Sequence, residues 1–60
     1  MNVKETLTIL SEESAEVIQA CSKLIRFGPY DEDNIAELEK ELGDVMAMIL
    51  VLDYLSLIHI

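Results

Sequence analysis

Apolar residues recur along the first half of the chain with a helical period. No glycine or proline lies between Val3 and Phe27, and Val3, Leu7, Leu10, Val17, Cys21, Leu24 and Ile25 share one arc at about 100° per residue. Gly28 and Pro29 then supply a helix stop, a C-terminal glycine followed by a residue that cannot continue the helix. Tyr30 to Asp33 reads as a short acidic loop. A second run starts at Asn34, which can cap a first turn, with Glu37 completing a capping-box pattern. Ile35, Leu38, Leu42, Val45 and Ile49 form its apolar stripe. The pattern predicts helices over 3–27 and 34–57, packed as an antiparallel helical hairpin. The expected fold class is all-α, in a single helical domain over 1–60.

The second run changes character at Val45. From there to Ile58 only Asp53 and Ser56 interrupt apolar residues that cover every side of the helix. Such a helix needs burial all round, in a bundle core or a membrane. A membrane span needs roughly 20 apolar residues; this run is shorter and holds an aspartate, so no membrane partner is expected. Two helices cannot surround one of their own, so cover must come from another chain or from further helices. The expectation is a homo-oligomer, dimer or tetramer, in its simplest form a dimer whose two hairpins make a four-helix bundle.

Charge interrupts this apolar pattern in two places, Glu12-Glu13-Ser14-Ala15-Glu16 and Glu41-Leu42-Gly43-Asp44. Each holds two carboxylates three residues apart, Glu13/Glu16 and Glu41/Asp44, which a helix places on nearly the same side. Glu13 and Glu16 lie on the strip of Ile9 and Ala20, and Glu41 shares its side with Met48 and Leu52. If the helices fold back on each other, four carboxylates can meet at one level. Like charges gathered so closely call for a cation. Oxygen-only donors suit a hard divalent ion, Mg²⁺ before Zn²⁺, and such a site points to phosphate chemistry. The alternative is a solvated acidic face balanced by Lys4, Lys23 and Lys40; Glu37 and Glu39 fit that description, and Glu5 and Glu12 project further toward solvent.

Composition narrows the choice. The 60 residues are 52% hydrophobic yet carry 12 acidic against 4 basic side chains, a formal net charge of −8. That hydrophobicity excludes simple disorder, and the missing basic patch argues against a nucleic-acid partner. An acidic protein handling a polyphosphate must recruit a cation. Cys21 is the only cysteine, so there is no disulfide framework or cysteine zinc motif; it is expected as a small buried hydrophobe. The N-terminus has no signal-peptide character, and a cytoplasmic protein is expected.

These residues resemble the MazG-like nucleoside triphosphate pyrophosphohydrolases of the all-α dUTPase/MazG superfamily, in their small phage and bacterial branch. The family pattern is Glu-Glu-x-x-Glu, a spacer, then Glu-x-x-Asp, matched here by Glu12-Glu13-Ser14-Ala15-Glu16 and Glu41-Leu42-Gly43-Asp44. Glu16-Val17-Ile18-Gln19-Ala20, Ser22-Lys23-Leu24-Ile25-Arg26-Phe27-Gly28 and Asn34 extend the likeness, which runs from Leu10 to Leu52. The resemblance implies a Mg²⁺-dependent hydrolase, with Mn²⁺ as the alternative ion, that cleaves the α–β phosphoanhydride of a (d)NTP. It implies Glu13, Glu16, Glu41 and Asp44 as metal ligands. Glu12 and Glu13 would be the catalytic carboxylates, Glu12 standing behind the ligands or acting as a base that orients water. Lys23, roughly 10 Å further along from Glu16, and Arg26 beside it could contact substrate phosphate. Equally, both could be surface cations that favour the helix dipole.

Members of that family continue into one or two more helices, so the chain is expected to be a C-terminally truncated domain. Leu55-Ser56-Leu57-Ile58-His59-Ile60 fits the family poorly and resembles translated read-through, and His59 is given no role. The competing function is a non-catalytic acidic helical module for self-association or partner binding through the Val45–Ile58 face. A carboxylate di-iron bundle would want Glu-x-x-His pairs on its helices, a spacing His59 does not provide.

Overall fold

The computed structural model describes residues 1–58; His59 and Ile60 lie outside them, and with them the end of the Leu55–Ile60 segment. Two helices, α1 (Val3–Phe27) and α2 (Glu32–Ile58), pack as an antiparallel hairpin. The fold is all-α, as the two periodic runs predict.

Local chemistry sets each helix end. Asn2 caps α1: its side chain accepts from the Glu5 N–H at 2.8 Å, and the Glu5 carboxylate accepts from the Asn2 N–H at 3.3 Å. This reciprocal box satisfies two of the backbone groups that a helix start leaves open. Thr6 donates its hydroxyl to the Asn2 carbonyl at 2.8 Å, which lets this polar side chain be fully buried. At the other end the Gly28 N–H reaches the Leu24 carbonyl at 3.0 Å, and Gly28 adopts φ +116°. An L side chain is strained in that region.

The second helix starts two residues earlier than position 34. Asp31 is its cap, accepting at Oδ1 from the Asn34 N–H at 2.9 Å, and Glu32 and Asp33 occupy the first turn. Acidic residues there favour the helix dipole, so residues read as loop extend the helix. Asn34 lies inside that turn, and Glu37 serves an ion pair described below.

The buried and half-buried positions trace one narrow seam. On α1 it runs through Thr6, Leu10, Glu13, Val17, Ala20 and Leu24; on α2 through Leu38, Glu41, Val45, Met48, Leu52 and Leu55. Spacings of three and four residues are those of two helices meeting along a coiled-coil-like stripe. The molecule measures 45 × 15 × 13 Å, one helix thick in one direction, so seam residues keep a flank in water. Among the described residues only Ala20 and Leu55 are apolar side chains counted as buried.

The sequence arc was broader than this seam. Val3, Leu7, Ile25, Leu42 and Ile49 lie on it or its α2 counterpart, yet all are exposed. Cys21, expected to be buried, is exposed as well. Ala20 takes the seam position, and one residue further along a helix turns about 100° away. On α2, Met46, Leu50, Tyr54 and Leu57 are each more than 60% exposed, so the hairpin leaves the expected all-round burial of this helix incomplete. Among the described residues no helix is long and apolar enough to cross a membrane.

The two glycines separate loop strain from helix propensity. At Gly43, in α2, an added Cβ would meet nothing within 4 Å. Thermal melts should show Gly43→Ala stabilising the hairpin by about 0.5–1 kcal/mol. Gly28→Ala should destabilise it by about 1–3 kcal/mol through its backbone angle.

Candidate metal centre

Two seam positions carry acids. Between Leu10 and Val17 the α1 side of the seam carries Glu13, and between Leu38 and Val45 the α2 side carries Glu41. Glu41 is only 7% exposed. Glu16 lies one turn beyond Glu13 at the open edge of the seam, and a carboxylate oxygen from each of Glu13, Glu16 and Glu41 lies within 4.8 Å of the other two.

An ionised carboxylate has acceptors and no donor, so three of them cannot satisfy one another. Glu13 Oε2 and Glu41 Oε2 are buried with no hydrogen-bond partner. Unpartnered buried polar atoms are costly and call for an explanation. Here a proton or a cation between the oxygens supplies one.

The acid strengths favour a proton at this group. Burial raises the Glu13 carboxyl above the ordinary carboxylate range, and the Asp44 and Glu41 charges raise it further. The Glu16 carboxyl is pushed up to about 7, first by its hydrogen bond to Glu41 and then by the Glu13 and Glu41 charges. Glu41 moves down instead: it accepts from Glu16, and Lys40 favours its ionised form, against the opposing effect of burial. At neutral pH the Glu16–Glu41 pair therefore holds a shared proton for part of the time.

Of the four carboxylates that the sequence suggests could meet, three form the close group. Asp44 stands beside it, its Oδ2 3.5 Å from Lys40 Nζ, and the same ammonium is 3.4 Å from Glu41 Oε1. Lys40 responds with a raised pKa, owed first to Glu41 and then to Asp44. Glu12 is exposed and outside the group.

Lys23 reaches across the hairpin to Glu37, with Nζ 3.1 and 3.2 Å from its two carboxylate oxygens. The Arg26 guanidinium lies over the Phe27 ring, 5.2 Å from its centroid. Both cations are thus engaged away from the carboxylate group, and Glu37 is a partly exposed acid balanced by Lys23, as the sequence reading has it. Lys40, expected only as one of the lysines balancing a solvated acidic face, is set directly against two of the candidate ligands. Its signal was present, because Lys40 and Asp44 stand four apart and so share a helix face.

All-oxygen donors, one of them deeply buried, and two orphaned oxygens fit a hard divalent ion. The family model described as "MazG nucleotide pyrophosphohydrolase domain" matches residues 1–56. The match includes Leu55 and Ser56, the first of which also packs in the hairpin seam. Neither a curated protein nor a solved structure matches the chain at a significant level.

The carboxyl shifts carry a pH dependence whose sign follows from linkage. A carboxyl with a raised folded pKa binds more protons folded than unfolded, so stability falls as pH rises between the two values. For Glu16 that window runs from the ordinary 4.5 up to about 7, and Glu13 contributes with the same sign. Glu41, shifted down, acts only below the ordinary value. With divalent ions chelated, the melting temperature should therefore fall between pH 5 and pH 8, on the order of a few degrees for a chain this small. Glu16→Gln, whose amide can donate to Glu41 at any pH, should flatten most of that slope.

Proposed function

The chain belongs to the MazG nucleotide pyrophosphohydrolase family, and on that premise we propose that it is a Mg²⁺-dependent nucleoside triphosphate pyrophosphohydrolase. In this reading water attacks the α-phosphorus of a (d)NTP, the α–β bridging bond breaks, and nucleoside monophosphate and pyrophosphate leave. The observation that carries it is the buried Glu41 carboxylate, with one oxygen unpartnered, facing Glu13 and Glu16.

Glu13, Glu16 and Glu41 would hold the ion, with Asp44 adjacent to them. Once bound, Mg²⁺ offsets triphosphate charge and lowers the pKa of a coordinated water. Glu12 and Glu13 are the catalytic carboxylates of this proposal: Glu12 accepts the proton of the attacking water from the exposed side, and Glu13 fixes its position. Lys23 and Arg26 can serve as phosphate contacts only by leaving Glu37 and the Phe27 ring. Substrate charge favours that exchange, because a triphosphate outcompetes one carboxylate for an ammonium.

A second reading, compatible with the first, is favoured by the exposed α2 stripe. Met46, Leu50, Tyr54 and Leu57 follow one another at four, four and three residues, which is the spacing of a second packing face. The occupant we assign is a second copy of the hairpin, making a four-helix bundle. The stripe lies alongside the first seam on the same helix, and a two-helix unit has too small a core to stand alone comfortably.

Thermal melts with and without millimolar Mg²⁺ at pH 8 test the metal site. The parent should gain stability, by roughly 2.7 kcal/mol at about 100 times the dissociation constant. Glu41→Gln should be at least as stable as the parent in chelator yet gain little from Mg²⁺, and should lose pyrophosphate release from dNTPs. Glu39→Gln, on an exposed position, should behave as the parent. An equal metal response in Glu41→Gln and the parent would sink the proposal.

Sedimentation tests the association. A dimer or larger closed species is expected at micromolar concentration, and Leu50→Glu should shift it toward monomer. A parent that sediments as a stable monomer would rule the bundle out.

A further inference from the structure

Among the described residues Lys40 is the one cation held against the carboxylate group, and its placement is unusual for a surface lysine. Nζ bridges two acids, Glu41 Oε1 at 3.4 Å and Asp44 Oδ2 at 3.5 Å. Glu41 is among the most buried side chains of the hairpin, whereas the Lys40 side chain remains 70% exposed. The ammonium therefore reaches inward from solvent and is retained by charge, with almost no packing to hold it. Asp44, at 44% exposure, is drawn to the Lys40 side and stays outside the close group of Glu13, Glu16 and Glu41.

We infer that Lys40 is a built-in placeholder cation, bridging Glu41 and Asp44 until a divalent ion displaces it and frees Asp44 to join the other three carboxylates. The inference rests on the metal reading above and adds to it a residue that opposes binding. Two facts support displacement over joint occupancy. The ammonium and a divalent ion want the same Glu41 carboxylate, and two cations held against one carboxylate repel. The lysine stem is also solvated, so release costs little buried apolar contact. The remaining acceptor, Glu41 Oε2, is buried and unpartnered even with Lys40 in place. One ammonium at its distances cannot complete the site.

The test is Mn²⁺ binding by titration calorimetry, with electron paramagnetic resonance of free Mn²⁺ as a second readout, on the full chain at pH 8. Four proteins are compared: the parent, Lys40→Gln, Lys40→Arg and Lys4→Gln. The last makes the same change in net charge at an exposed lysine away from the cluster. Lys40→Gln should bind Mn²⁺ roughly three- to tenfold more tightly, the effect of removing one nearby positive charge in a largely solvated setting. Lys4→Gln and Lys40→Arg should stay within about twofold of the parent, since general charge is screened and the arginine keeps the local cation. In chelator Lys40→Gln should melt lower than the parent, and saturating Mn²⁺ should close that gap.

Unchanged or weaker Mn²⁺ binding in Lys40→Gln, with normal binding in the parent, would overturn the placeholder and leave the metal site standing. An equal gain in Lys4→Gln would overturn it too, by assigning the effect to net charge. Failure of all four proteins to bind Mn²⁺ would remove the metal reading itself.

Discussion

The hairpin is organised around acids placed where its packing would otherwise be apolar. Glu13 and Glu41 occupy seam positions flanked along each helix by Leu10 and Val17, and by Leu38 and Val45. Burial opposes the ionisation of both, and neighbouring acids add to it at Glu13, while Glu16 and Lys40 hold Glu41 in its ionised form; even so the hairpin offers no donor for two of their oxygens. Chemistry and stability are consequently joined at one point. Whatever neutralises the group also relieves the fold, and on the proposed function a mutation that discharges it would relieve the fold while removing the chemistry. Stability spent on a functional site in this way is an ordinary feature of proteins.

That arrangement depends on register, and register depends on a loop of four residues. Gly28 turns the chain with its positive φ, and Asp31 starts α2 immediately after the Pro29–Tyr30 turn. Lys23 and Glu37, seven residues either side of Tyr30, then meet across the hairpin. Further from the loop, Glu16 and Glu13, two and three turns beyond Lys23, face Glu41, one turn beyond Glu37. Adding one residue to the loop would rotate α2 by about 100° relative to this pairing and carry Glu41 off the seam. The ion pair near the loop adds little stability by itself; it marks the register that brings the carboxylates together.

Helix content, the antiparallel hairpin and three of four clustered acids were legible from spacing, because a helix fixes which residues share a face. The detail that spacing misses is where two wide apolar arcs touch. Both helices carry more apolar surface than one partner can cover, so Leu7, Cys21 and Ile49 read as core while Thr6 and Ala20 hold the seam. Thr6 looked polar, but its hydroxyl is spent on the Asn2 carbonyl. The α2 start was misplaced because Asp31, Glu32 and Asp33 are all plausible loop residues, and only the backbone shows which one caps. Asp44 and Lys40 were harder still. Periodicity places both near the cluster, but whether Asp44 turns to its fellow acids or to the lysine is a balance of charge, not of period.

Three agents can neutralise the group, and the geometry ranks them. A proton is the smallest, and the raised Glu16 carboxyl favours holding one, but it can serve only one pair of oxygens and is lost as pH rises past about 7. The Lys40 ammonium persists across that range, yet it approaches from the exposed side and touches only Glu41 and Asp44. Neither reaches all three clustered carboxylates at once. A divalent ion carries twice the charge in a volume that can be shared by several oxygens, and it alone can use Glu13, Glu16 and Glu41 together. The hairpin thus tolerates its acids through partial substitutes, each leaving Glu13 Oε2 and Glu41 Oε2 without a partner. On the proposed reading, that residual deficit is what a small multivalent ion would answer: a monovalent cation would add little to what Lys40 already does.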